Sequence, residues 1–598
     1  MASSDPSARP ASERLSTAVK LAYAAPALAT AGMAVPIFVY MTKFYADVVL
    51  VPLGYLALAV AVARAFDAIT DPLMGWLTDR TRTRWGRRRP YLLIAAPLTG
   101  LAYLALFSPP PSLSTEAAAT WFAACFLLFF VFHTIYVIPH NSLGPELSLD
   151  YHERSNLFGW RESFVLVGTI AGAVLPGALE GVLGEARAAY SGMAVIFAVL
   201  VVVLSCFMVS RVRERTEFSQ RSPNAFVPGV RRALRNRPFR ILLGSYVVGS
   251  LSAAIPGTLL PFFIAYVIRP DRDVLWTTLS VVAYFLSALA TIGLLVRLSG
   301  RLGKKPVWLA SIGVQILGLL PTFFLGEGQA PAAAGLFAVA GVGFGGQLFL
   351  TPSIQADVID YDELHTGRRR EAQYAALWAL LPKLLAIPGA AIPLSVLGAL
   401  GYSPNVAQSS DVVLAIRGLF SLVPVVFASL SLVIAARFPI DEAVHRAIRV
   451  GIARHGRGEP AVDPLTGATL LPTGGREVAE ETGWLLDHFS PGELRRALRH
   501  GTPVLLRDAC LATLAAAGTT VAAVALAVRQ LGALSEPPGP VPVVAIVVSG
   551  IGLSTTVFHA LRIRPALDLR RRPAKPEVLH AHLSGIERDR GESAQGAA

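Results

Sequence analysis

Residues 63–90 read ARAFDAITDPLMGWLTDRTRTRWGRRRP, and this stretch decides how the chain is organised. Its first half is apolar enough to lie in a bilayer, yet it carries Asp67 and Asp71, which are one helical turn apart and therefore project from the same face. Its second half holds six arginines between Arg80 and Arg89. Such a cluster beside an apolar span marks the cytoplasmic end of a membrane helix. The stretch thus predicts an oriented membrane helix with an acidic pair inside it.

The composition indicates a membrane protein. The chain has 598 residues, of which 53% are hydrophobic and 16% charged, and its mean hydropathy of +0.53 is too high for a soluble globular protein. The net charge of +13 comes from basic residues in short tracts between apolar spans. Cytosolic loops near anionic lipid explain this charge better than nucleic-acid binding does. The three cysteines form no metal-type spacing, and we expect no disulfide.

Apolar stretches of membrane-spanning length, about 20 residues each, recur in two groups of six. They lie near residues 20–45, 50–76, 90–108, 118–140, 157–180 and 189–211, and then near 240–266, 275–298, 306–326, 332–357, 372–398 and 411–437. Between the groups, residues 211–240 hold nine arginines against two glutamates, which predicts a cytosolic loop. The sequence therefore predicts an all-α polytopic membrane protein.

The two halves share a short sequence pattern. Arg84–Pro90, after the second span, reads RWGRRRP, and Arg301–Pro306, after the eighth, reads RLGKKP. Duplicated six-helix bundles would leave similar loops in corresponding places, as in the major facilitator architecture. The alternative is that any short cytosolic hairpin is basic and contains glycine.

The chain continues beyond the twelfth span with a polar segment and two more apolar spans. The spans, near 508–531 and 541–562, have arginines on both outer flanks, which predicts a transmembrane hairpin with cytosolic ends. Within the polar segment, Ser490 and Pro491 indicate a helix start and Gly501 its end. The predicted units are a cytosolic tail at 1–15, a six-helix bundle at 16–211, a cytosolic loop at 212–239, a second bundle at 240–440, a cytosolic segment at 441–506, the hairpin at 507–565 and a cytosolic tail at 566–598.

The acidic pair is the first candidate site. An ionised carboxylate in the middle of a membrane helix costs on the order of 3 kcal/mol, and two on one face also repel each other. Bound Na⁺ would offset that cost because hard cations prefer oxygen ligands, and a proton shared by Asp67 and Asp71 would do the same. The alternative is a salt bridge from Arg64, three residues before Asp67, and both interpretations can hold together.

A lysine in the eleventh span is the second candidate. Lys383 is the only charged residue there, and a lysine at that depth needs a carboxylate partner or a water-filled cavity. Asp67 or Asp71 could be that partner. The alternative is a lysine that snorkels to the membrane interface.

The fourth span and the helix after it hold the remaining candidates. Thr134 offers a hydroxyl oxygen that could complete a cation shell, while His133 and His140 could titrate near neutral pH or simply pack between helices. Asn141 interrupts the same aromatic run. Arg161 is a candidate substrate contact, although an interface salt bridge is the usual explanation for a charge at its position.

Acidic and basic residues are concentrated in the connection after the tenth span. This connection could close the cytosolic face by pairing with arginines of the first half, and release it on opening. The predicted gating residues are Arg80, Arg87, Arg88, Asp357, Asp360 and Arg368. The alternative is a solvated loop.

The sequence argues against an enzyme. It contains neither a glycine-rich phosphate loop ending in Lys-Ser/Thr nor a spaced Cys/His metal set, so an ATP-driven pump is disfavoured. The glycines of GVGFGGQ at 341–347 lie in an apolar helix, where close helix packing is the plainer explanation.

Two of these stretches resemble the signatures of one transporter family. DAITDPLMG at Asp67–Gly75, followed by DRTRTRWGRRRP at Asp79–Pro90, resembles the second-helix signature of the glycoside-pentoside-hexuronide:cation symporters, the melibiose permease-like group of the major facilitator superfamily. DVIDYD at Asp357–Asp362 resembles the family's motif between helices ten and eleven. The resemblance covers about residues 16–450. It implies two six-helix bundles, cation-coupled symport and alternating access.

The resemblance also implies roles for single residues. It places the cation carboxylates at Asp67 and Asp71, with Thr70 at a position where the family has an asparagine. Thr134 matches the family's threonine in helix four, and Lys383 matches its lysine in helix eleven.

Three departures from the family pattern concern the cargo. Ala31 and Val137 stand where sugar-binding aspartates are found, and Asn141 replaces a tryptophan. Sugar hydroxyls are recognised by charged and amide groups, so we expect a substrate unlike melibiose. Animal lysophosphatidylcholine symporters resemble the chain as well, since they share the acidic pair and the lysine, and an apolar first helix suits an amphipathic cargo.

These observations predict a secondary active transporter that couples Na⁺ or H⁺ to the symport of a small solute, with a sugar or glycoside favoured. The alternatives are a transporter of lysolipids or other amphipathic molecules and a non-transporting membrane sensor. We expect no cofactor besides the coupling ion, no nucleic-acid partner, contact with membrane lipids and function as a monomer. The predicted location is the cell membrane, inner or plasma, with several passes and both termini cytoplasmic.

Overall fold

The computed structural model describes residues 15–81, 83–147, 151–214, 233–366, 371–470, 472, 485, 488–532 and 540–571. The side chains of Arg64, Arg80 and Lys383, and the whole of Arg368, lie outside the described set. The roles expected of these four residues therefore stay predictions.

The described residues of the first part of the chain are mainly helical. The helices are α1 at Thr17–Val48, α2 at Leu53–Arg80, α3 at Arg89–Phe107, α4 at Thr115–Leu147, α5 at Tyr151–Leu183, α6 at Ala186–Arg211, α7 at Arg237–Ile268, α8 at Asp273–Leu302, α9 at Lys304–Phe324, α10 at Ala330–Thr366, α11 at Glu371–Ala399 and α12 at Ser410–Ala436. We call α1–α6 the first bundle and α7–α12 the second bundle. The clearest difference from the predicted spans is in α10, which continues to Thr366 instead of ending near residue 357, so Asp357 and Asp360 lie on a helix.

Eleven helices in the described part of the chain are long and apolar enough to cross a membrane. They are α1, α3 to α10 and α12 of the two bundles, together with Pro503–Leu526 further along. The prediction of an all-α polytopic membrane fold is thereby confirmed.

Helices α1 and α7 occupy corresponding places in the two bundles and share local features. Ser16 and Asn236 cap their first turns by accepting a hydrogen bond from a backbone N–H group three residues on. At the other end, each helix widens into a π-helical turn, at Phe44–Val48 in α1 and at Ile264–Ile268 in α7. Such turns occur frequently at functional sites, and these two lie where the bundles meet.

The glycine-rich stretch of α10 lies where neighbouring helices come closest. A Cβ atom on Gly341 would be 2.1 Å from the carbonyl oxygen of Tyr284 in α8, and one on Gly345 would be 2.5 Å from that of Ala288. Backbones approach this closely only where the side chain is absent. The prediction that these glycines serve helix packing is confirmed.

Hydrophobic packing differs between the two ends of the molecule. We call the end that carries Arg87, Arg88 and Lys304 the basic end, and the opposite end, with Asp47 and Asp273, the far end. One core fills the first bundle and continues into the far half of the second bundle, through Phe263, Phe337, Leu397 and Phe420. A separate core occupies the basic half of the second bundle, around Leu242, Trp308 and Ile354. The two bundles are therefore packed together at the far end.

The rest of the chain forms two small units. The first contains α13 at Glu442–Gly456, which packs on α10, and an antiparallel pair of strands, β1 at Ala461–Val462 and β2 at Thr469–Leu470. The second contains α14 at Pro491–His500, α15 at Pro503–Gly532, α16 at Pro540–Ala560 and α17 at Ile563–Arg571. Helices α15 and α16 pack on each other, and α16 also contacts α2 and α11, one helix from each bundle.

In the second unit, a buried ion pair joins α14 to the connection between α16 and α17. Arg562, which is 2% exposed, lies 2.6 Å from Glu493 in α14. Burial alone would raise the pKa of Glu493, but its hydrogen bonds with Arg562 and Ser490 hold that pKa below the ordinary value. Ser490 caps α14 and Gly501 ends it at φ 83°, so the predicted bounds of this helix are confirmed.

Candidate cation and substrate site

The acidic pair meets a hydroxyl group from another helix. Asp67 and Asp71 lie one turn apart on α2, and Thr134 reaches them from α4. The Thr134 hydroxyl oxygen is 2.8 Å from Oδ1 of Asp67 and 2.9 Å from Oδ1 of Asp71. Asp67 is 5% exposed and Thr134 3% exposed, so this contact is shielded from solvent.

The two distances from the Thr134 hydroxyl limit where protons can lie at this site. A threonine hydroxyl carries one hydrogen, so Thr134 can donate to only one of the two carboxylates at a time. The second close oxygen contact is favourable when the other carboxyl group is protonated and donates to Thr134, or when a cation lies between the oxygens. The arrangement is therefore suited to a proton or a small cation.

The other candidate cation ligand is turned toward its own helix. The Thr70 hydroxyl donates to the backbone carbonyl of Asp67 at 3.2 Å, which leaves its oxygen lone pairs as possible cation ligands. Within the described residues, no group of three or more His, Cys, Asp or Glu side chains could hold a metal ion. The site thus offers two carboxylates and hydroxyl oxygens, the ligand type that hard cations prefer.

The polar residues of α4 lie in two environments. His133 stacks on Phe129 with ring centres 5.2 Å apart. His140 is 2% exposed, and its Nε2 donates to the backbone carbonyl of Tyr23 in α1 at 2.9 Å. This second histidine joins two helices of the first bundle, as a packing histidine does.

A polar pair is formed by Asn141 and Arg161. The Arg161 guanidinium donates to Oδ1 of Asn141 at 2.9 Å and pairs with Glu162 at 2.8 Å. The contact links α4 to α5 and presents an amide and a guanidinium together.

The arginines at the basic end pair within the first bundle. Glu146 accepts from Arg87 at 2.6 Å and from Arg88 at 2.7 Å, and Glu214 accepts from the backbone N–H groups of both arginines. These contacts connect the α2–α3 loop to the ends of α4 and α6.

The acids of α10 pair within the second bundle and with the unit after it. Asp357 lies 2.6 Å from Lys304, and His445 of α13 is 3.4 Å from Asp357 and 3.1 Å from Asp360. The predicted partnership between Arg87 or Arg88 and these acids stays a prediction.

A buried aspartate anchors the strand pair to the end of α10. Asp463 accepts from Tyr361 at 3.1 Å and contacts His365 at 3.2 Å. Burial alone would raise the pKa of Asp463, but hydrogen bonds from His365, Thr466 and a backbone N–H lower it to about 2. Asp463 is therefore ionised at any physiological pH.

The far end holds a polar network that the sequence reasoning missed. Asp47 in the wide turn of α1 lies 3.1 Å from Lys43 and accepts from Tyr266 at 2.7 Å and from Tyr402. Lys43 also pairs with Asp273 at 2.8 Å. Tyr266, Tyr402 and Asp273 all belong to the second bundle, so Asp47 and Lys43 connect the first bundle to the second. In the sequence, this network is indicated only by Lys43 and Asp47, four residues apart at the end of a span. Such a pair does not identify the residues that it contacts elsewhere in the chain.

The comparisons with known proteins agree with this architecture. Residues 22–442 match the family model of MFS/sugar transport proteins. The chain is 26% identical to the glucuronide carrier protein homolog of Escherichia coli over 69% of its own length and 90% of that protein. It is 27% identical to the putative glycoside/cation symporter YagG of Escherichia coli, over 72% of its own length and 94% of that protein.

A third relative comes from an animal. The sodium-dependent lysophosphatidylcholine symporter 1 of Gallus gallus is 24% identical over 74% of this chain and 90% of that protein. These matches cover nearly all of each relative but leave about a quarter of this chain unmatched, and the family model ends at residue 442. The chain belongs to the MFS/sugar transport protein family, within the glycoside-pentoside-hexuronide:cation symporters of the major facilitator superfamily, and is a multi-pass secondary transporter rather than an enzyme.

Proposed function

We propose that the chain is a symporter that couples Na⁺ or H⁺ to the movement of a small solute. The observation that carries the proposal is the Thr134 hydroxyl, which lies within 2.9 Å of both Asp67 and Asp71. The three side chains come from α2 and α4, so an ion bound among them would fix these helices against each other.

The coupling follows from charge. Without a cation, two carboxylates on one helix face, one buried and one half-buried, repel each other. A proton or Na⁺ neutralises part of that repulsion and stabilises one arrangement of α2 and α4. The solute binds better to that arrangement, and the loaded bundles rock so that ion and solute cross together.

A sugar or glycoside is the cargo that we favour. Support comes from the family and from the Asn141–Arg161 pair, whose amide and guanidinium are groups that recognise sugar hydroxyls. Two Escherichia coli relatives are named for a glucuronide and for glycosides. A lysolipid is the second candidate, since one relative is named for lysophosphatidylcholine and Ala31 and Val137 are apolar.

The proposal includes an orientation in the cell membrane. The basic end faces the cytosol because arginine-rich loops stay on that side, and both termini lie there as well. The far end then faces the outside, and the chain works as a monomer.

The test is uptake into proteoliposomes under imposed Na⁺ or H⁺ gradients, with sugars, glycosides and lysolipids screened in parallel. We expect Asp67→Asn and Asp71→Asn to abolish gradient-driven uptake. Thr134→Val should weaken the affinity for the ion by roughly 10- to 100-fold, as removal of a supporting ligand does. Thr134→Ser keeps the hydroxyl and should retain most of the activity.

Asp411→Asn is the matched control, because Asp411 is an exposed carboxylate in the first turn of α12. It should behave like the unmodified chain. Gradient-driven uptake that persists in both Asp67→Asn and Asp71→Asn would overturn the coupling site. Lysolipid uptake without sugar uptake would keep the site and change the cargo.

A further inference from the structure

A second site of different chemistry lies at the basic end, on the surface of the first bundle. A cavity of about 250 Å³ is lined by Arg84, Trp85, Arg89, Leu93 and Val209. It lies between the start of α3 and the end of α6, outside the residues assigned to the ion or the solute.

The cavity has a charged part and an apolar part. The Arg84 guanidinium lies 5.8 Å from the centre of the Trp85 ring. Arg89 donates through Nη2 to the backbone carbonyl of Val209 at 2.6 Å, while its Nε is buried and has no hydrogen-bond partner among the described residues. A buried N–H donor without an acceptor is unfavourable, and an anion or a water molecule is the kind of group that would satisfy it.

A carboxylate beside the loop, that of Glu214, is bound by backbone N–H groups. Glu214 accepts from the backbone N–H groups of Arg87, Arg88 and Arg89, all within 2.8 Å. Arg211 and Arg213 follow Val209 on the same segment and are exposed, so the charge around the cavity is net positive.

The residues at the cavity are of the kinds found at the level of lipid headgroups. Trp85 is 56% exposed, and tryptophan is enriched at the membrane interface. Further along α3, Ile94 and Leu101 are more than 60% exposed, as expected of side chains that face acyl chains. A headgroup at the arginines could therefore continue as a lipid tail along α3.

We propose that the cavity between Arg84 and Arg89 binds a phosphate group, supplied by an anionic phospholipid of the surrounding leaflet. Basic pockets beside membrane helices on the cytosolic side commonly bind such headgroups. A soluble phosphate ion offers the same chemistry, and the test distinguishes the two sources. The proposal does not depend on the identity of the transported solute.

The test uses the full chain in nanodiscs and the fluorescence of Trp85, obtained as the difference from Trp85→Phe. Brominated phosphatidylglycerol and brominated phosphatidylcholine are compared as quenchers at equal mole fraction. Phosphatidylglycerol should quench Trp85 more strongly, and Arg84→Gln should reduce that preference about fivefold.

Arg301→Gln is the matched control, since Arg301 is an exposed arginine in the last turn of α8, at the corresponding place in the second bundle. It should leave the preference unchanged. Leu93→Phe, which fills the cavity and keeps both arginines, should reduce the preference as Arg84→Gln does, and thermal unfolding checks that both variants are folded.

Inorganic phosphate at matched ionic strength tests the soluble source. If it abolishes the lipid preference in the unmodified chain and has no effect in Arg84→Gln, the site binds phosphate but takes it from solution. Equal quenching by the two lipids, with no effect of phosphate, would overturn the proposal. A preference that survives both Arg84→Gln and Leu93→Phe would also overturn it.

Discussion

The far end and the basic end of the molecule are held together in different ways. At the far end, Asp47 of the first bundle meets Tyr266 of the second, and both bundles contribute to one hydrophobic core. At the basic end, Glu146 holds arginines of its own bundle, and Asp357 holds Lys304 of its own bundle. Contacts between bundles must break when the bundles rock, whereas contacts within a bundle can persist.

The difference predicts which contacts govern opening. The structure is closed at the far end, where polar and apolar contacts cross from bundle to bundle. The described pairs of Glu146 and Asp357 at the basic end strengthen each bundle separately. Substitutions at the far end should therefore change the conformational equilibrium, and those at the basic end should change stability.

The largest effect is expected from Asp47→Asn. This change leaves Lys43 beside a neutral side chain and weakens the acceptors of Tyr266 and Tyr402. Disruption of such a buried charged network costs about 3 kcal/mol, or roughly 100-fold in the ratio of closed to open molecules. A cysteine at Thr278, which is 7% exposed, should then react much faster with a membrane-impermeant reagent.

The comparison for this experiment is Asp271→Asn. Asp271 is an exposed acid near Asp273 at the same end of the molecule. Both variants are made without the natural cysteines Cys125, Cys206 and Cys510. If Asp271→Asn accelerates labelling as much as Asp47→Asn, the far end is closed by general electrostatics and not by this network.

A smaller effect, of another kind, is expected from Glu146→Gln. Arg87 and Arg88 have side chains that are 10% and 4% exposed, so this change removes a shared carboxylate from two buried guanidinium groups. The first bundle should lose about 2 kcal/mol of stability, seen as a lower thermal unfolding temperature. Labelling of the cysteine at residue 278 should not change.

Glu116→Gln, at the opposite end of the same helix, provides the reference. Glu116 is exposed, so its substitution should leave the unfolding temperature unchanged. Faster labelling in Glu146→Gln would show that the basic end also controls the far end.

The smallest effect is expected from Asp357→Asn. The Lys304 side chain is 36% exposed and can be hydrated when its partner is lost, so the pair contributes only about 1 kcal/mol. The unfolding temperature should fall by less than in Glu146→Gln. A larger fall would show that the contacts of Asp357 with His445 in α13 stabilise more than the exposure of the pair indicates.

The acidic pair could be anticipated from the sequence because its geometry is local. Residues four apart share a helix face, so Asp67 and Asp71 had to lie together. Thr134 was predicted from its hydroxyl oxygen in the fourth span and from the family resemblance, and the structure brings it to both carboxylates. The end of the helix that carries Asp357 was predicted too early in the sequence. Hydropathy shows where a span leaves the membrane and not where helical hydrogen bonding ends.

The far-end network could not be anticipated in the same way. Asp47 and Tyr402 are 355 residues apart, and neither residue carries a local pattern that names the other. Their contact depends on how two bundles pack, which is a property of the tertiary structure. The same holds for Arg562 and Glu493, which are 69 residues apart.

The closure of the far end is tested most directly by the distance between two spin labels, one on each bundle. The labels are attached to cysteines introduced at Glu185 and Arg272 in the cysteine-less chain. Both positions are exposed, and each is next to a residue that lines a small cavity between the bundles. We expect a short, narrow distance distribution that becomes longer and broader in Asp47→Asn. A long or broad distribution in the unmodified chain, unchanged by Asp47→Asn, would contradict the claim that this network closes the transporter.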